Sequence, residues 1–280
     1  SFNEAKIVFD KLIKSGMVTA TLTGGEPLMR REFSVAIINY LKTRKVYVKL
    51  FTNGFYLDKD TIEEIRGVDE VQISIDGLKD RHDQWRGSPG SWERIWKVIC
   101  ELKQTEIITS VRFTVNSSNY GQTREILKIS EENGVDIFRI RPVLLKGRAK
   151  SHPHYAMSKE KYYRESIGYI SNIRREKSYA IQTLIPSFSF LYDEAISSDS
   201  LNRSFKGCVS CKAVMMSALL PDGHLNPCPY FSDDLGNLRK EELSAVSAHV
   251  DSFFKKIFNI KNIDKCSDCP YITICGGGCR

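Results

Sequence analysis

The sequence predicts an α/β chain in two parts: an open, barrel-type parallel sheet, then a small cysteine-rich module. Three observations lead there. β-prone runs alternate with helical patterns along residues 1–145. Short Gly-, Asp- or Asn-bearing motifs stand where those strands end. Seven of the eight cysteines fall within 207–280, several of them in close pairs.

The elements follow in order. Residues near 3–15 place Val8, Phe9, Leu12 and Ile13 at helical spacing, with Asn3 as cap and Gly16 past the end. Residues 17–22 are β-prone and run into Thr23-Gly24-Gly25-Glu26-Pro27. A helix near 31–43 precedes a strand at 46–51, which ends in Thr52-Asn53-Gly54. A short helix fits 58–66, and strand 70–75 ends in Asp76-Gly77. After the loop Arg86-Gly87-Ser88-Pro89-Gly90 comes a helix over 91–104, capped by Ser91. Strand 109–115 ends at Asn116, a helix near 121–133 stops at Gly134, and strand 136–141 stops at Pro142.

Strands alternating with helices of this length imply βαβ units, a parallel sheet and right-handed crossovers. Five strands are legible, opened by a helix. A chain that opens on a crossover helix is expected to lack the strand before it. The expected fold is therefore a partial (β/α)6 barrel with its first strand missing. Residues 146–206 read as a helical connector, with helical patterns near 158–177 and a Ser-rich stretch at 187–204. The expected division is 1–145, 146–206 and 207–280.

The 280 residues suffice for one large or two ordinary domains, and 41% apolar content supports a core. No apolar run approaches the roughly 18 residues of a membrane span, and no signal peptide is visible, so a cytoplasmic protein is expected. The chain opens on Ser1, and its true N-terminus is expected upstream. The net charge of +7 comes from Lys and Arg scattered along the chain. That pattern reads as solvated surface rather than a groove for nucleic acid or an acidic peptide, so neither a nucleic-acid nor a membrane partner is expected.

The cysteines point to metal rather than disulfides, because the chain is long and crowds them at short spacings. Cys208-x2-Cys211 is followed by Gly223 and Cys228, and Cys266-x2-Cys269-x5-Cys275-x3-Cys279 comes near the end. Iron–sulfur cubanes take four thiolates, and close pairs supply adjacent corners. Gly276, Gly277 and Gly278 would let backbone approach an inorganic core. Pro221-Asp222-Gly223 reads as a turn between short strands at 217–220 and 224–226. Structural zinc remains an alternative, since four-cysteine zinc sites also use such pairs. Seven thiolates do not make two complete sites of four, so one site needs another ligand. Cys100, beside Val98, Ile99 and Leu102, reads as a core cysteine.

The strand-end motifs lie on what is the functional face of β/α barrels. Gly24 and Gly25 bare backbone carbonyls for an ammonium group, and Glu26 adds a carboxylate; Pro27 stiffens the exit. A plain strand-to-helix turn with a capping glutamate explains the same residues. Ser74 and Asp76, two apart in a strand, point the same way and could grip ribose hydroxyls; a turn-forming Asp-Gly is the alternative. Asn53 and Asn116 are explained by turns.

Together, Gly24-Gly25-Glu26-Pro27, Ser74-Ile75-Asp76-Gly77, Leu235-Gly236-Asn237-Leu238 and the cysteine series closing on Cys275-Gly-Gly-Gly-Cys279-Arg280 resemble radical S-adenosylmethionine enzymes with a C-terminal SPASM domain. The resemblance implies that Gly24 to Pro27 hold the methionine ammonium of S-adenosylmethionine, with Ser74 and Asp76 near its ribose. It implies a first auxiliary [4Fe–4S] cluster on Cys211, Cys228 and Cys279, with Cys208 a candidate fourth ligand. Cys266, Cys269 and Cys275 would hold a second.

It further implies an oxidoreductase or maturase that modifies a peptide or protein side chain through a 5′-deoxyadenosyl radical. An electron donor such as a flavodoxin or ferredoxin would serve it. The family's third, catalytic cluster uses a C-x3-C-x2-C motif, which this sequence lacks. The chain is thus expected to be truncated at both ends and inactive as it stands. A non-catalytic iron–sulfur or zinc module that binds a peptide partner is the competing expectation. Pro229 follows Cys228 where sulfatase-maturing members carry an aspartate, which argues against that activity.

Overall fold

The computed structural model describes residues 1–145, 147–162, 164–165, 180–183 and 217–257. The chain divides into two compact units, Ser1–Leu184 and Ile185–Arg280.

The first unit is a parallel sheet of six strands: β1 (Thr19–Leu22), β2 (Tyr47–Thr52), β3 (Glu70–Ile75), β4 (Ile108–Val115), β5 (Ile137–Pro142) and β6 (Ala180–Thr183). Their spatial order equals their sequence order, and every pairing is parallel. The helices are α1 (Phe2–Lys14), α2 (Arg31–Lys42), α3 (Lys59–Glu64), α4 (Lys79–Arg86), α5 (Ser91–Leu102), α6 (Thr123–Glu132) and the one-turn α7 (Lys159–Tyr162).

The two faces of the sheet differ in kind. Val48, Leu50, Val71, Ile73, Ile75, Val111, Phe113, Phe138 and Ile140 share one face by register and are fully buried. Alternation puts Lys49, Glu70, Gln72, Ser74, Ser110, Arg112, Arg139 and Arg141 on the other. The core sits on the apolar face, completed by helical residues such as Ile38, Leu41, Ile99, Leu102 and Ile126, none of them exposed.

The five expected strands and their register with the helices are present. Four local readings are corrected. The cap of α1 is Ser1, whose hydroxyl accepts from the Glu4 N–H in a reciprocal capping box, rather than Asn3. The cap of α5 is Gly90 in a left-handed conformation; Ser91 is the first helical residue. Cys100 is exposed, not core. It lies about 100° around α5 from the buried Ile99, and its Sγ is 3.7 Å from Asn133 Oδ1. The loop before α5 begins at Gly87 rather than Arg86, because Arg86 is the last residue of α4. In addition, β6 extends the sheet into the segment read as a helical connector.

The second unit is described over 217–257. A short hairpin pairs β7 (Ala218–Leu219) with β8 (Leu225–Asn226), as the Pro-Asp-Gly turn predicts. Gly223 is obligatory there: φ is +95°, and an added Cβ would lie 2.6 Å from Arg239 Cγ and 2.7 Å from Asn237 Oδ1. The Leu-Gly-Asn-Leu stretch completes the hairpin's packing. Leu235 and Leu238 are buried, and Asn237 Nδ2 donates to the Asp222 carbonyl at 3.2 Å. Helix α8 (Leu243–Ile257) follows.

Candidate functional site

Strand β1 opens into Gly24 and Gly25, both exposed, with nothing within 4 Å of where a Cβ would stand. Glu26 turns back over this strand end. Its Oε1 accepts from the Leu28 N–H at 3.2 Å, capping the 3₁₀ turn Pro27–Arg30. The same oxygen accepts from Thr52 Oγ1 at 2.8 Å, and Oε2 accepts from the Asn53 N–H at 2.8 Å. The capping role is therefore real, and it ties the end of β1 to the end of β2. A carboxylate has about four lone-pair directions, so Glu26 retains acceptor capacity for one cationic donor beside two bare glycines.

The end of β3 is held by α4. Arg86 Nη2 lies 2.7 Å from Asp76 Oδ2 and 3.4 Å from the Ser74 carbonyl, so one guanidinium touches both residues singled out by sequence. His82 Nδ1 accepts from the Asp76 N–H at 3.2 Å. That bond fixes the tautomer: Nε2 carries the proton, and it is buried without a partner. Burial holds the imidazole neutral, its pKa pushed down to about 4. Asn119 Nδ2 donates to the carbonyls of Asp76 and Thr114, both at 2.9 Å, stapling β3 to β4. Gly77 leaves no room for a side chain, since a Cβ would lie 2.6 Å from Arg81 Cγ. A cavity of about 80 Å³ adjoins these groups, lined by Asn53, His82, Arg86, Ser88, Ser91 and Arg94 among others.

Asp83 ties α4 to α5. Burial alone would raise its pKa, but the Ser91 hydroxyl and the N–H groups of Trp92 and Gly90 bring it to about 2. Those bonds are 2.7, 2.8 and 2.8 Å long. Asn53 and Asn116 serve turns, as expected: their side-chain oxygens accept from the N–H groups of Phe55 and Ser118.

Deeper on the polar face, Glu70 is 2% exposed and Arg139 7%. Arg139 grips Glu70 with both terminal nitrogens, and Lys49 Nζ sits 3.4 Å from Glu70 Oε2. Ser110 Oγ donates to Glu70 at 2.7 Å. Arg112 neighbours Ser74 on one side and Arg139 on the other by register.

Of the seven metal-ligand candidates, Cys228 falls within the described residues. Cys208, Cys211, Cys266, Cys269, Cys275 and Cys279 lie outside them. Cys228 is buried against Tyr230, Phe231 and Phe254, and its Sγ accepts from the Tyr230 N–H at 3.4 Å. A buried sulfur that receives a backbone N–H inside an aromatic shell suits a thiolate ligand of an iron–sulfur cluster. Among the described residues no three metal-ligating side chains gather.

The structure thus brings Gly24, Gly25, Glu26 and Pro27 to one strand end, and Ser74 with Asp76 to another. Sequence reasoning missed His82, Arg86, Asp83, Asn119, Glu70, Arg112 and Arg139. The signal for α4 was faint, and the polar face becomes visible only once strand register is known.

Residues 1–128 match the radical SAM superfamily model. The AdoMet-dependent heme synthase of Oleidesulfovibrio alaskensis is 26% identical over 294 residues, covering 100% of this chain and 74% of that protein. The sporulation killing factor maturation protein SkfB of Bacillus subtilis is 33% identical over 147 residues, 51% of this chain and 35% of that protein. Streptococcus suis SuiB bound to the precursor peptide SuiA has the same fold, with a TM-score of 0.74 at 16% identity. The likeness covers 99% of this chain and 64% of SuiB. Among the described residues no helix is long and apolar enough to cross a membrane.

Proposed function

We propose that this chain is the body of a radical S-adenosylmethionine enzyme built on a partial (β/α)6 barrel and carrying a SPASM-type auxiliary-cluster module. The observation that carries the reading is the end of β1. There two open glycines stand beside a carboxylate already fixed by three donors, inside a stretch that matches the radical SAM model. Gly24, Gly25 and Glu26 would take the ammonium of S-adenosylmethionine, and Ser74 and Asp76 its ribose hydroxyls. Bound next to a reduced cluster, that molecule supplies a carbon radical able to remove a hydrogen atom from an unactivated position. The chain's residues bind and orient it. Cys228, with Cys208, Cys211, Cys266, Cys269, Cys275 and Cys279, would hold two auxiliary [4Fe–4S] clusters. The sequence lacks C-x3-C-x2-C, so this chain alone is expected to bind S-adenosylmethionine without cleaving it.

The substrate we favour on fold is a peptide or protein side chain, and the structural likeness to SuiB with its precursor peptide supports it. A second reading is a tetrapyrrole, favoured by a relative aligned along the whole chain and named as a heme synthase. Calorimetric titration with S-adenosylhomocysteine, which needs no cluster, tests the common core. Wild type should bind, and Glu26→Ala should bind about tenfold more weakly or worse, the loss of one charge-assisted bond. No heat from wild type would remove the nucleoside site and the function with it.

A further inference from the structure

The cavity of about 80 Å³ bounded by the end of β2, helix α4 and the start of α5 has polar walls of one kind. Asn53, His82, Arg86, Ser88, Ser91 and Arg94 supply them, and the other walls are apolar or glycine. Among the described residues no carboxylate lines it. His82 is fully buried, and with Nδ1 turned to the Asp76 N–H its Nε2–H has no partner. Arg86 gives Nη2 to Asp76, and its buried Nε–H is likewise unpartnered. Arg94 rests on the Phe55 ring, 4.8 Å from its centroid, and makes no ion pair among the described residues. Asn53 spends its Oδ1 on the Phe55 N–H, which leaves its amide hydrogens to the cavity side.

A buried N–H without a partner is costly and calls for an explanation. Water answers it poorly here, because a water molecule donates as well as accepts, and these side chains offer mainly donors. An anion accepts from all of them. The open end of α5 is not the attraction, since Asp83 already takes the N–H groups of Gly90 and Trp92 and the Ser91 hydroxyl. Asp76 and Asp83 also limit the charge: close to two carboxylates a dianion is repelled, while one negative charge is met by Arg94.

We propose that this cavity binds one small monovalent anion, of the size of chloride or nitrate, with Arg94 as its cation and His82, Arg86 and Ser88 as its further donors. Liquid water takes about 30 Å³ per molecule, so the volume suits one such ion with a water beside it. Arg86 joins the ion to the strand end, because the same guanidinium holds the Asp76 carboxylate.

The test uses the whole chain in sodium chloride, with sodium gluconate, too large for the cavity, holding ionic strength constant. The chlorine NMR line broadens when chloride visits a protein site, and sodium nitrate is the competitor. Wild type should broaden the line, and nitrate should remove that broadening in a saturable way. Arg94→Gln should bind chloride about tenfold more weakly or worse, the loss of one charge-assisted contact. Ser88→Ala should weaken it less. Lys97→Gln removes the same charge from the next turn of α5 without touching the cavity, and should match wild type. Arg94 and Lys97 are both exposed, so neither change threatens the fold. Equal losses in Arg94→Gln and Lys97→Gln overturn the proposal, since diffuse surface charge then holds the ions. Wild type without displaceable broadening overturns it too and leaves the cavity to water. Displacement by sulfate at lower concentration than by nitrate overturns the single charge.

Discussion

His82 shows how one side chain can set a strand end. Its Nδ1 accepts from the Asp76 backbone, so the residue that places the Asp76 carboxylate is not itself a ligand candidate. His82→Asn keeps an acceptor where Nδ1 stood; His82→Gln moves it outward. S-adenosylhomocysteine affinity should therefore survive in the Asn variant and fall in the Gln and Ala variants, and equal loss in all three would reduce His82 to packing. The imidazole also makes a pH prediction. Its folded pKa is about 4, below the unfolded value of about 6.5. The unfolded chain takes up the proton first, so this contribution is complete above about pH 6.5 and is lost as pH falls toward 4. The loss should reach about 3 kcal/mol, because each tenfold difference in proton affinity between the folded and unfolded chain is worth roughly 1.4 kcal/mol. Urea unfolding of wild type and His82→Asn across that window checks it: the variant should lack this part of the slope, and identical slopes would sink the assignment.

At the scale of elements, α4 and β6 explain what the sequence hid. Helix α4 reads Lys-Asp-Arg-His-Asp-Gln-Trp-Arg, with no apolar stripe, and its one buried residue is a histidine. Its order comes from tertiary bonds of His82, Asp83 and Arg86 and from the left-handed Gly87 that stops it, none of which periodicity detects. Strand β6 is four residues long, too short to outweigh the helical pattern around it. Strands β2 to β5 were legible because apolar alternation is strong, and the glycine-rich and Asp-Gly ends were legible as motifs. The cations were visible only as scattered charge. Strand alternation gathers Lys49, Arg112 and Arg139 on one face, and that follows from register rather than from composition. Asp83 links α4 to α5, and its folded pKa of about 2 lies below the ordinary 3.8. Its contribution is therefore present above about pH 4 and lost as pH falls toward 2. Asp83→Asn should lower the melting temperature at pH 7 and narrow the gap from wild type near pH 2. A constant gap would show that the carboxylate's charge is not involved.

For the molecule as a whole, the Glu70 cluster joins strands β2 to β5 beneath the candidate site. Glu70→Ala leaves the buried Arg139 and the half-buried Lys49 without their shared carboxylate, so a loss of about 3 kcal/mol in urea unfolding is expected. A change under about 1 kcal/mol would mean that solvent reaches this face. The second unit carries the larger claim. Cys228 has the burial, the N–H···S bond and the aromatic shell of a cluster ligand. It also follows a hairpin that the sequence predicted. The most direct test is the iron, acid-labile sulfide and zinc content of the chain, purified and reconstituted without oxygen, with Cys228→Ala beside it. About four irons and four sulfides or more per chain, reduced in the variant, are expected for a module of cubane clusters. About one or two zincs with no sulfide would contradict it, and the chain would then hold a structural zinc module in place of the auxiliary clusters.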